Sequence, residues 1–249
     1  MRIESKEMFS VIMPAYRAQE TIGRAIESVL SQTDTNLELI VINDCSTDQT
    51  SEIAKNFARQ DSRVIVIDLP KNKGVAVARN VGIETARGDF IAFLDADDAW
   101  VSNKLEKQRP LLDQGNVIVC SDYYSVSGKK RKLITLPPGE LTFSRLLIAN
   151  FIGNLSGVYN LKALGRKFYQ APIGHEDYAM WLDIAQQGKI AGVRTPLAVK
   201  YNHPGSVASN KLCAAIWTWK IQGSHLSWRV DRRVIFFTVY IWTSLLKRL

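Results

Sequence analysis

The chain has 249 residues, 46% hydrophobic and 22% charged, with 15 Gly, 8 Pro, 3 Cys and a formal net charge of +8. This composition excludes disorder, a collagen-like repeat and a disulfide scaffold, and the length suits one α/β unit or two small domains. The charge excess sits at one end: Lys211–Leu249 carries seven Lys and Arg against Asp231 alone, with four of the six tryptophans, so the rest is not patterned as a whole-surface nucleic-acid binder.

The apolar run Phe9–Met13, ending at Pro14, predicts a strand. Ile22, Ala25, Ile26, Val29 and Leu30 fall on one helical face. Leu37–Ile42 predicts a second strand, followed by a helix capped by Ser46 or Thr47 that carries Ile53, Ala54, Phe57 and Ala58. Val64–Leu69 is a third strand, Gly74–Ala86 a helix and Asp89–Leu94 a fourth strand. Alternation of apolar strands with helices means a parallel sheet covered on both faces, with ligands beyond the carboxyl ends of the strands. After residue 100 the pattern changes. A polar helix at Asn103–Gln114 leads to a strand at Val117–Tyr124 and a hairpin through the basic turn Ser127–Lys132. A short helix near Thr142–Asn150 and a strand at Leu155–Tyr159 follow, then a helix from His175 and a strand at Leu197–Tyr201. The expected organisation is two halves of one unit, 1–100 and 101–210, and a tail, 211–249.

Asp95, Asp97 and Asp98 end the fourth strand, where three carboxylates repel one another unless a cation intervenes. A hard divalent cation completed by phosphate oxygens and water would satisfy them, against the plainer reading of a solvated turn or cap. Asp44, after the second strand, can accept a hydrogen bond from a base or a ribose. Capping is its alternative role, but Ser46, Thr47 and Asp48 are equally placed for that, which leaves Asp44 to a ligand. The loop Lys71–Gly74, with Arg79 beyond it, suits phosphate, yet it is neither a Walker A loop nor a dinucleotide fingerprint. Glu176 and Asp177 open a helix, as a general base or as acidic residues favoured by the helix dipole. Trp181 could stack on a sugar or belong to the core. His203 is a phosphate or metal contact, or structural.

Taken together, these stretches resemble the inverting family-2 glycosyltransferases of GT-A fold. The resemblance is carried by Ser10–Tyr16, Glu38–Asp48, Asn72–Gly82, Gly88–Asp98 and Glu176–Leu182, and spans about Phe9 to Ser209. It implies a Rossmann-like, mostly parallel central sheet flanked by helices, with a C-terminal helical tail. It implies that Pro14, Ala15, Tyr16 and Glu20 line a nucleotide pocket, that Asp44 bonds the base, and that Arg79 lies near base or pyrophosphate. Asp95, Ala96 and Asp97 become the DxD turn, with Asp97 the main ligand of Mg²⁺ or Mn²⁺ and His203 a further candidate. Asp177 becomes the base, Glu176 its neighbour and Trp181 an acceptor contact. The implied partners are a nucleotide-sugar donor, with UDP favoured, and a glycan or glycolipid acceptor in surface-polysaccharide synthesis, without nucleic acid. Alternatives are a nucleotidyltransferase, and a nucleic-acid-binding module using the tail.

The dispersed Cys45, Cys120 and Cys213 read as reduced thiols, and neither a signal peptide nor a spanning run is expected. Val234–Leu246 is apolar, but as a helix it reaches only ~20 Å. With Arg229, Arg232, Arg233, Lys247 and Arg248 it suits the interface of an anionic membrane, or packing on the domain or a second subunit. The expected location is cytoplasmic, peripheral to the inner face of the membrane.

Overall fold

The computed structural model describes residues 6–169, 176–202, 217–221, 223 and 238. The first hundred residues follow the expected alternation. They form β1 (Phe9–Ala15), α1 (Ile22–Leu30), β2 (Leu37–Asn43), α2 (Thr50–Gln60), β3 (Val64–Asp68), α3 (Val75–Thr85), β4 (Phe90–Phe93) and β5 (Ala99–Trp100). Then come α4 (Lys104–Asp113), β6 (Ile118–Ser127), β7 (Lys130–Ile134), α5 (Phe143–Ile148), β8 (Val158–Asn160), α6 (Leu161–Leu164), α7 (Glu176–Ala185) and β9 (Ile190–Tyr201). The strands form one mixed sheet in the order β3-β2-β1-β4-β8-β6-β9-β5, with β7 paired to β6. β1 to β4, β6 and β9 all run the same way, because β8 is antiparallel to both β4 and β6, and β9 is parallel to β6.

The two-residue period of the strands divides the core. Ile12, Ile40, Ile42, Ile91 and Phe93 pack on one face with Trp181 and Ile184 of α7. Phe9, Val11, Met13, Leu39 and Val41 pack on the other with Ile22, Ile26 and Val29 of α1. Helix α3 lies unusually close to the sheet at Gly82, where a Cβ would sit 2.5 Å from Ile12 Cγ2. That approach sets the height of Arg79, one turn earlier on the same helical face.

Three expectations are corrected. β9 runs from Ile190, not from Leu197. Pro196 pairs with Asp122 where the β6–β9 register shifts, and an irregularity of that kind tolerates a residue that cannot donate. Helix α2 begins at Thr50, capped by neither Ser46 nor Thr47; Asp48 Oδ1 accepts from Thr50 N at 3.1 Å. The expected strand at Leu155 starts as a 3₁₀ turn, Asn154–Ser156. Among the described residues no helix is long and apolar enough to cross a membrane, and Cys45 and Cys120 are free thiols. Cys213 and nearly all of the tail lie outside the described residues.

Lys104 has no exposed surface. Its Nζ donates to Gln108 Oε1 at 2.6 Å and lies 4.2 Å from the centre of the Trp100 ring. Burial pulls its pKa down from 10.5 to about 7. The unfolded chain therefore holds that proton more tightly. Stability should rise with pH from about 7, by at most ~1.4 kcal/mol per pH unit from this group. Cys120, pushed up from 9.0 to about 12 by its burial, acts in the opposite direction above pH 9.0. Urea unfolding of wild type and Lys104→Met across the window between these two values checks this. Wild type should gain stability relative to the variant as pH rises, and parallel pH profiles would contradict the assignment.

Candidate active site

A cleft of about 500 Å³ opens beyond the carboxyl ends of β1 and β4. These neighbouring parallel strands deliver their following loops to the same place. Of the expected residues, Pro14, Tyr16, Glu20, Asp95, Ala96 and Asp97 line it; Arg17, Ala18, Thr21 and Val75 are additions. Tyr16 is 45% exposed, whereas Ala15 is buried and accepts from Asp44 N through its carbonyl at 2.8 Å. The loop after β1 is held by the loop before α2. Arg17 N donates to Ser46 Oγ at 3.0 Å, and Ala18 N to Thr50 Oγ1 at 2.7 Å. Arg17 and Cys45 follow Tyr16 and Asp44 and have φ of 50° and 58°. Non-glycine residues in this left-handed region cost of order 1–3 kcal/mol and gather where a loop is shaped for a task. Sequence reading passed over both.

Asp44 is not left free for a ligand. Its Oδ1 accepts from Lys73 N and its Oδ2 from Gly74 N, each at 2.8 Å. It holds the basic loop at the start of α3, where Gly74 has φ 85°. Each carboxylate oxygen keeps one more acceptor direction, so a second bond to a base is chemically open to it. Asn43 supports the same corner, donating to Asp68 Oδ1 at 2.7 Å and accepting from Ser46 N at 3.2 Å.

The acidic turn is resolved by giving its carboxylates different surroundings. Arg79 Nη2 meets Asp95 Oδ1 at 2.6 Å. Burial opposes the Arg79 charge, but Asp95 first, then Tyr169 and more weakly Asp177, outweigh it and raise its pKa above the ordinary value. Asp98 turns inward, 2% exposed, and accepts from Tyr201 N at 2.9 Å. Burial, then the charges of Asp95 and Asp97, push its pKa up to about 8. Asp97 remains at the cleft, and its carbonyl accepts from Arg24 Nη2 at 2.6 Å. Arg24 in turn lies 3.9 Å from the ring centre of Tyr201.

Glu176 and Asp177 form the first turn of α7, both partly exposed. Asp177 is not part of the cleft wall, but its charge acts on Arg79 and Tyr169 beside the acidic turn. Besides burial, its charge raises the phenol pKa of Tyr123 together with Asp98, and that of Tyr169 together with Asp95. Tyr169 carries Arg79 on its ring at 5.2 Å and donates from its hydroxyl to Asn154 Oδ1 at 2.9 Å. Asn80 fixes the Tyr169 backbone from both sides, donating to its carbonyl at 2.8 Å and accepting from its N–H at 2.7 Å. No pattern in the sequence pointed to Tyr169, which lies 89 residues from Asn80.

Trp181 is a correction. Its side chain is wholly buried, edge-on to Phe93 at 6.1 Å, and a Cβ at Gly157 would lie 2.6 Å from its ring. A ring enclosed in this way has no face to offer an acceptor sugar. His203 lies outside the described residues. Among the described residues no group of three or more His, Cys, Asp and Glu could hold a metal by itself.

Comparison with known proteins follows the same lines. The family model described as "Glycosyl transferase family 2" matches residues 10–180. An uncharacterized glycosyltransferase of Haemophilus influenzae is 34% identical over 96% of this chain and 97% of its own length. WfgD of Escherichia coli, named as a UDP-Glc:alpha-D-GlcNAc-diphosphoundecaprenol beta-1,3-glucosyltransferase, is 34% identical over 87% of this chain and 85% of its own. In fold, the chain is similar to S. aureus TarS 1–349 in complex with UDP-GlcNAc, with a TM-score of 0.70 and 21% identity over 88% of this chain and 71% of that one. With the family model matching residues 10–180 and relatives 34% identical over most of both chains, this chain belongs to glycosyl transferase family 2 and is a glycosyltransferase.

Proposed function

We propose that the protein transfers a sugar from a nucleotide-sugar, with inversion, to a hydroxyl of a lipid-linked glycan in surface-polysaccharide synthesis. The observation that carries this reading is the cleft itself. Tyr16, Asp95 and Asp97 share its wall, and Asp177 acts electrostatically on the groups around Asp95. UDP is the favoured carrier, because WfgD is named for a UDP-sugar donor and a diphosphoundecaprenol-linked acceptor.

In this reading the base lies in the cleft against Tyr16, between Pro14 and Glu20, with Asp44 at its inner edge. Asp97 and Asp95 would hold Mg²⁺ or Mn²⁺. Their chemistry fits: hard oxygen donors, too few to form a cage, suit a cation that completes its shell with phosphate oxygens and water. When bound, such an ion neutralises negative charge on the departing diphosphate. Arg79 fixes Asp95 and adds positive potential behind it. Asp177 takes the proton of the attacking hydroxyl as that oxygen bonds to the anomeric carbon and the carbon–phosphate-oxygen bond breaks on the opposite face. One displacement needs one base, with Glu176 beside it on the acceptor side. The tail, 211–249, attaches the enzyme to the cytoplasmic membrane surface on which the acceptor is confined.

Two substitutions separate these roles. Asp97→Ala should abolish transfer with little change in thermal unfolding, since a carboxylate at the rim of a cleft contributes little packing. Activity within a few-fold of wild type, or full wild-type activity in excess EDTA, would contradict the metal role. Asp177→Asn should lower turnover by ~10²–10⁴, the usual worth of a general base. Calorimetry should still give near-wild-type affinity for UDP. A parallel loss of UDP affinity would make Asp177 a donor-site residue.

A further inference from the structure

No residue of the β6–β7 ribbon lines the cleft. β6 lies between β8 and β9 at Ile118 and Val119, then runs on between β9, which it pairs as far as Val126↔Tyr201, and β7, which it pairs from Tyr123↔Ile134 to Ser127↔Lys130. Since β6 is parallel to β1 and β4 in the sheet, its overhang projects from the end at which the cleft opens. The two are also joined directly. Val126 pairs with Tyr201, whose N–H donates to Asp98 of the acidic turn, and Asn202 bonds Ser125 Oγ at 2.7 Å and Val126 O at 3.0 Å.

This ribbon carries Lys129, Lys130, Arg131 and Lys132 in succession, all exposed. None of them forms an ion pair among the described residues. Opposed residues of an antiparallel pair share a face, so Tyr124, Val126, Arg131 and Leu133 lie on one side, with Lys130 and Lys132 on the other. Arg131 covers the Tyr124 ring at 3.4 Å, and Leu133 is 45% exposed beside it. Four like charges without a counter-charge call for a polyanion. On the Arg131 side, an exposed leucine and a half-buried tyrosine call for an apolar layer behind that charge. A soluble phosphate or a nucleic-acid backbone supplies only the first; a bilayer containing anionic phospholipid supplies both.

We propose that the β6–β7 ribbon docks on an anionic phospholipid surface and turns the mouth of the cleft toward it. The contact is separate from the tail, and its use rests on the reading of a lipid-linked acceptor. The test is flotation of the full chain with phosphatidylcholine vesicles, with and without phosphatidylglycerol. Combined Lys129→Gln, Lys130→Gln, Arg131→Gln and Lys132→Gln should weaken binding to the anionic vesicles about a thousandfold while the tail is intact. Leu133→Ser should weaken the part of the binding that survives high salt. The pair Lys130→Gln and Lys132→Gln, which leaves Arg131 on Tyr124, should give an intermediate loss, so the result does not depend on the ribbon tolerating four changes. UDP affinity of every variant should match wild type. The proposal is overturned if the fourfold variant floats like wild type, if it loses UDP affinity in parallel, or if it loses binding to a single-stranded oligonucleotide but not to vesicles. Transfer measured in detergent, without vesicles, keeps the two readings apart: its absence in wild type would overturn the proposed reaction and leave the flotation result standing.

Discussion

Carboxylates crowded at the end of a buried strand repel one another, and the site is built around relieving that repulsion. Asp95, Asp97 and Asp98 follow β4 within five residues. The fold sends them three ways. Arg79 reaches over from α3 to Asp95. Asp98 is taken inside, where desolvation and its neighbours favour its protonated form near neutral pH and where it fastens β9. Asp97 is kept at the cleft wall. A turn balanced in this way concentrates negative potential at one point, next to a cavity large enough for a nucleotide. A hard cation and a diphosphate fit that combination.

The supports lie far from the turn in sequence. Gly82 lets α3 settle against Ile12 and Ile42, and so brings Arg79 within reach of Asp95. Asn80, on the same helix, fixes Tyr169, which forms a platform under Arg79. Asp44 holds the loop entering α3 by two backbone amides. Each contact joins segments that the chain visits at different times, and each ends on α3 or the acidic turn. Replacing any of them should disturb catalysis by misplacing Arg79 rather than by removing a reacting group.

Much of this was legible in the residues alone, and the limits have physical causes. The strands β1 to β4 and the helix face of α1 declared themselves because burial on one or both faces imposes a period. The acidic turn stood out because its residue types are costly where they lie. Asp44 was placed correctly after β2, but its partners are main-chain amides, which every residue but proline possesses, so no pattern marks them. Trp181 was ambiguous because a ring that stacks on sugar and a ring that fills a core are chemically alike; only Phe93 and Gly157, brought up by the fold, decide. The reach of β9 back to Ile190 was not legible, because the irregularity at Pro196 is a property of its pairing with β6, not of the strand's own residues. Family membership selects sugar transfer over nucleotidyl transfer, a choice that paired carboxylates could not make.

If the acidic turn binds a nucleoside diphosphate together with a divalent cation, calorimetric titration of the chain with UDP, in Mn²⁺ and again in excess EDTA, will show it. Affinity should be at least about tenfold higher with the ion, since two carboxylates and a diphosphate repel one another without it. Equal affinity in the two conditions would contradict it.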